Sequence, residues 1–140
     1  MYEIRRSIKI VEQLKIGDEV LDIVIAPEEI INGYNKAVGD VLTAQRAIDK
    51  AHKEKRTEST IAAIEQYGET LLRQMNILLG EANTQKILAF YGGNKIEMSS
   101  WITPFLTNVI APKMHDAMNT MRNDARAGYR KAGRRGLFRR

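Results

Sequence analysis

The sequence predicts a mainly α protein: an N-terminal β-hairpin packed on a bundle of about four helices, with a disordered basic C-terminal tail. Three observations carry this prediction. Apolar residues alternate with period two only between residues 7 and 25, as paired strands require. From Pro27 onward they recur every three or four residues, as on one face of a helix, in runs broken by glycine. Residues 126–140 hold seven cations, no acid and almost no apolar anchor.

The hairpin lies in "SIKIVEQLKIGDEVLDIVI". Gly17-Asp18 fits a two-residue turn, with glycine at the first central position as type II′ prefers. That turn sets Ile16 opposite Glu19, Leu14 opposite Leu21, Glu12 opposite Ile23 and Ile10 opposite Ile25. One register then sorts both strands. Ile8, Ile10, Leu14, Ile16, Leu21, Ile23 and Ile25 share a face, while Lys9, Gln13, Lys15 and Asp22 surround Val11, Val20 and Val24 on the other. A lone hairpin is marginal in water, so the aliphatic face is expected to dock on helices.

Pro27 suits the first turn of a helix, and Glu28 and Glu29 favour the same end. Ile30, Ile31, Tyr34, Val38, Val41, Ala44 and Ile48 carry this helix to about residue 53. "HKEKRTES" reads as a loop or a solvated helix end, which places His52 in a charged loop. A second helix carries Ile61, Ile64, Leu71, Leu72, Met75 and Leu78 and stops near Gly80. Asn83 could cap a short helix, "TQKILAFY", that ends at Gly92-Gly93. Ser99 or Ser100 can cap the last helix, with Trp101, Phe105, Val109, Met114, Met118 and Met121 along it. Pro112 lies inside that helix, where it removes the bond to the Asn108 carbonyl, so a kink or a break into two helices is expected.

A chain of 140 residues with no composition break before the tail reads as one domain, residues 1–125, followed by a flexible basic segment, residues 126–140. At this size a single core can bury roughly two thirds of the unfolded surface without staples. There is no cysteine, no apolar run of membrane-spanning length, and no signal-peptide core in "MYEIRRSIKI", which together predict a soluble cytosolic protein. The net charge of +5 is unevenly spread. Taking the seven cations of residues 126–140 from the 22 leaves 15 against all 17 acids, so residues 1–125 carry −2. Basicity therefore belongs to the tail, and no argument from it about nucleic acid extends to the body.

Catalytic chemistry has little to work with. His115 neighbours Asp116, but adjacent helical residues do not face each other, and His52 is far off in the chain. No metal-ligand spacing is present, and no cofactor is expected. "GYRKAGRR" shares only its glycines with a phosphate-binding loop and lacks the Lys-Ser/Thr pair. A non-enzymatic protein is the expectation.

Binding features are more informative. Met114, Met118 and Met121 form a stripe with Ala117 and Ala125 beside it. Such a stripe fills a core or, since thioethers on flexible stems adapt to varied shapes, offers a plastic surface for partner helices. Trp101 and Phe105 read as core anchors, with Phe105 and Val109 beside the methionine face as candidate partner contacts. Tyr2 and Tyr129 lie near the termini, where two aromatics give little support for base stacking. Arg126, Arg130, Lys131, Arg134, Arg135, Arg139 and Arg140 make the tail a solubilising appendage, a contact for nucleic acid, or a hook for an acidic protein. Seven cations imply a salt slope of up to about −5 to −6 for DNA, and no Asn, Gln, Ser or Thr accompanies them to read bases, so nucleic-acid binding would be non-specific.

The layout resembles the tail assembly chaperones of long-tailed phages of Gram-positive hosts. The resemblance rests on the hairpin, the acidic helical body, the segment "LLGEANTQKILAFYGGN", the helix "WITPFLTNVI" and the Arg-rich end. Its most specific part is Leu78-Leu79-Gly80-Glu81, then Lys86-Ile87 and Gly92-Gly93. It implies a small helical protein of the host cytoplasm that coats the tape measure protein, keeps it soluble and helps recruit the major tail protein. It also implies self-association, absence from the finished virion, and a longer product made by frameshifting near Gly136-Leu137. Two readings compete: a small nucleic-acid-associated protein acting through residues 126–140, and a structural head–tail connector or tail-completion subunit.

Overall fold

The computed structural model describes the backbone of residues 8–137 and side chains as far as Ala127. Two antiparallel strands, β1 (Ile10–Ile16) and β2 (Glu19–Ile25), lead into helices α1 (Pro27–Lys53), α2 (Thr57–Leu79), α3 (Glu81–Phe90) and α4 (Lys95–Phe105). A π-helical segment, Leu106–Ile110, then joins α4 to the last helix, α5 (Ala111–Leu137).

The strand register agrees with the sequence at every pair, from Ile10 opposite Ile25 to Ile16 opposite Glu19. Gly17 has φ of +57° while Asp18 keeps negative φ, the sign pattern of a type II′ turn. A β-carbon on Gly17 would also lie 3.3 Å from the Phe90 ring, so the turn presses against the end of α3. Ile10, Leu21, Ile23 and Ile25 are buried, whereas Val11, Val20 and Val24 are exposed. The hairpin thus docks its aliphatic face, as expected, onto a core that includes Leu71, Met75, Leu78, Leu79, Ile87 and Met98. Two ion pairs fasten it: Lys86 of α3 to Glu19 at 2.9 Å, and Lys113 of α5 to Glu12. Asn83 adds a third link, donating from Nδ2 to the Asp22 carbonyl at 3.1 Å.

Several helix ends differ from the sequence reading, each for a local reason. His52 sits in the last turn of α1, exposed, rather than in a loop, and only Glu54, Lys55 and Arg56 connect α1 to α2. Gly80 ends α2 as expected, but with φ of +86° it also begins α3, so Asn83 is not a cap. Its amide instead donates back to the Leu79 carbonyl at 2.9 Å. Gly92 and Gly93, both at positive φ, turn the chain after α3 as predicted. The next helix starts earlier than Ser99 or Ser100 would set it, because Asn94 is the cap: its Oδ1 accepts from the Glu97 amide at 3.1 Å. Ser99 and Ser100 lie inside α4 and donate to the Ile96 carbonyl.

The break expected at Pro112 takes the form of the π segment. The Ala111 amide donates to the Leu106 carbonyl, five residues back, and Pro112 then falls in the first turn of α5, where a missing N–H costs little. The widened turn has a second consequence. Met98, Ile102, Leu106, Ile110 and Met114 are all buried and repeat every four residues. In an α-helix each four-residue step overshoots one turn by roughly 40°. A π turn takes up part of that overshoot, so one stripe can face the core from α4 into α5. Trp101 falls outside this stripe and is 69% exposed, which corrects its reading as a core anchor. Phe105 is half-buried at the edge of the core. Beyond Asp124 the backbone of α5 continues as helix to Leu137.

Candidate partner-binding groove

α1 and α2 pack as an antiparallel pair, the most extensive helix–helix contact among the described residues. Their shared seam alternates steps of three and four: Tyr34, Ala37, Val41, Ala44, Ile48 and Ala51 on α1, with Thr60, Ile64, Tyr67, Leu71, Gln74 and Leu78 on α2. Ala37, Ala44 and Ala51 are buried one heptad apart, and such short side chains let the helices approach closely. The larger α1 residues beside the seam, Val38, Leu42 and Gln45, are left over by this packing and turn toward the π segment.

There they form one wall of a groove of about 360 Å³. Tyr67, Leu71, Gln74 and Leu78 form its floor, and Thr103, Leu106, Thr107 and Ala111 the far wall. The volume suits a few apolar side chains or a small ligand. Leu42, 47% exposed, stands at the mouth. Among the described residues no Asp, Glu, Lys, Arg or His lines the groove, although 28% of the chain is charged. The groove therefore has nothing with which to hold a phosphate, a carboxylate or an ammonium group.

Its polar side chains are uncharged. Gln74 is only 9% exposed, yet its amide has no hydrogen-bond partner among the described residues. Among the described residues no polar side-chain atom is both occluded and unpaired, so the Gln74 amide keeps some accessible surface, and Gln74 lines the groove. The same holds for the Tyr34 hydroxyl, on a residue 8% exposed, whose pKa burial pushes above the usual tyrosine value. Thr43, Thr60, Thr70, Thr84 and Thr120 each donate to the carbonyl four residues back. Thr103 and Thr107, beside and within the π segment, make no such bond.

The residues singled out in the sequence are divided by the fold. Met114 is fully buried in the core, which removes it from any partner surface, while Met118 is half-buried against that core and Met121 half-buried further along α5. Phe105 and Val109 are half-buried on the side of Trp101, away from the groove lining. Arg126 is exposed on α5. Arg130, Lys131, Arg134 and Arg135 lie on its helical backbone with side chains outside the described residues, as are Arg139 and Arg140 altogether. His115 pairs with the Asn119 amide, at 3.2 Å. Among the described residues no three His, Asp or Glu side chains are placed to hold a metal ion, and no helix is long and apolar enough to cross a membrane.

Sequence reasoning missed the groove. The signal was the alanine heptad in α1, which, once assigned to a helix seam, leaves Val38 only partly buried and Leu42 exposed. Comparison with protein-family models, curated proteins and solved structures finds no match to this chain.

Proposed function

We propose that this chain is a non-enzymatic assembly chaperone of a phage tail, which binds the tape measure protein, keeps it soluble in the host cytoplasm and helps recruit the major tail protein. The observation that supports this reading is the uncharged, mostly apolar groove between α1, α2 and the π segment. A client rich in amphipathic helices presents aliphatic side chains at helical spacing, and a groove between helices receives them. The resemblance of "LLGEANTQKILAFYGGN" to the phage chaperones supplies the identity of the client. Many copies along one client would require self-association, and the exposed Val11, Val20 and Val24 face of the hairpin is surface suited to it.

Co-expression with the tape measure protein tests this. The wild-type chain should hold the client in the soluble fraction, and Leu42→Glu should return most of it to the pellet while keeping its own fold. A client equally soluble with Leu42→Glu would remove the groove from the mechanism, and a client insoluble with the wild type would refute the chaperone reading.

A further inference from the structure

We propose that the groove selects for an uncharged polar side chain, an Asn or Gln set among aliphatic residues on one face of the partner helix. This rests on the reading of the groove as a helix-docking site and adds what it recognises. Gln74 and Tyr34 are each more than nine-tenths buried as residues, both line the groove, and neither side chain has a hydrogen-bond partner among the described residues. Thr103 and Thr107 bring two more free hydroxyls to the facing wall.

The lining decides among possible occupants by charge and by hydrogen bonding. A charged group entering the groove would lose water and find no counter-ion, since the lining holds none. A purely aliphatic face would dock, but it would seal off Gln74 and Tyr34 with their hydrogen bonds unmade. Sealing one such group costs on the order of tenfold in affinity. A carboxamide both donates and accepts, as Gln74 does, and can pair with it while its neighbours fill the space beside Val38 and Leu71. Recognition of this kind discriminates strongly because the loser leaves buried polar groups unpaired. It would also fix the register of a repetitive helical client, which aliphatic contacts alone leave free to slide.

Four fluorescein-labelled helical peptides test the proposal. They share a face of leucines at helical spacing and differ only at one central position, which is Gln, Leu, Glu or Lys. Fluorescence anisotropy with the full chain should give affinities about tenfold tighter for the Gln peptide than for the Leu peptide, with the Glu and Lys peptides weaker still. Gln74→Leu should bring the Gln and Leu peptides within about twofold of each other. Thr107→Val, at an exposed helical position, should lower the Gln preference several-fold and serves if Gln74→Leu does not fold. Equal binding of the Gln and Leu peptides, binding of a charged peptide as tight as that of the Gln peptide, or a preference unchanged in the folded variants would overturn the proposal. The two readings separate cleanly. Binding of all four peptides alike, weakened by Leu42→Glu, sinks the selectivity and keeps the docking site. If no peptide binds while the tape measure protein stays soluble, the proposal fails alone. If the tape measure protein is insoluble as well, both fail.

Discussion

Met114→Ala separates the two roles that the methionine stripe could play. Met114 has no exposed surface and touches the core at the point where α5 leaves the π segment, close to the docked hairpin. Truncating it removes three heavy atoms from water-free surroundings, a transfer loss of roughly 1.5–3 kcal/mol. The incompletely collapsed cavity adds to this, so the total falls near 3 kcal/mol, within the range of about 2–5 for methionine truncations. For a domain of this size that corresponds to a fall in Tm of about 10 °C. Met121→Ala, at a half-buried position about two turns further along α5, should cost no more than about 1 kcal/mol. Urea unfolding followed by far-ultraviolet circular dichroism measures both, with an unchanged m-value as the check that the midpoints report stability. Under native conditions the folded fraction of Met114→Ala should hold the tape measure protein as well as the wild type does. A loss below about 1 kcal/mol, accompanied by lost client binding, would refute the reasoning and return Met114 to the partner surface.

Three further outcomes are expected. Ile23→Ala should destabilise by about 2–4 kcal/mol while Val24→Ala, next to it but 60% exposed, stays within about 0.5, because the two face opposite sides of the hairpin; similar urea midpoints for both would mean that the hairpin is not docked. Asn94→Ala should cost about 1 kcal/mol by removing the cap on the Glu97 amide, read from the same melts, whereas Ser99→Ala and Ser100→Ala should each cost less than half of that. Burial raises the Tyr34 pKa, so at high pH the unfolded chain releases the proton first; stability should be level below about pH 10 and fall as pH rises beyond it. Tyr34→Phe should flatten that fall in alkaline thermal melts, and an unchanged slope would count against a buried hydroxyl.

The division between what was legible and what was not follows from the range of the forces involved. The hairpin register was legible because a period-two pattern admits one sorting of Ile10, Leu14, Leu21, Ile23 and Ile25, and a one-residue slip would expose all of it. Gly80 and Gly92-Gly93 were legible as stops because positive φ is a property of the residue itself. A helix, by contrast, offers several candidate faces, and only its neighbours choose among them. Trp101, Phe105 and Val109 make as good an apolar stripe on paper as Ile102, Leu106 and Ile110. What favoured the second was a π turn ahead of Pro112 that brings residues four apart into line, together with a hairpin and α2 placed to receive them. The groove has the same origin. Three alanines in α1 draw it close to α2, and the space left between Val38, Leu42 and the π segment exists only once all the helices are in place. Local backbone preference and strand alternation thus wrote the hairpin and most of the helix ends into the sequence, while the choice of inner face and the shape of the unfilled surface were left to packing, which no single stretch of chain encodes.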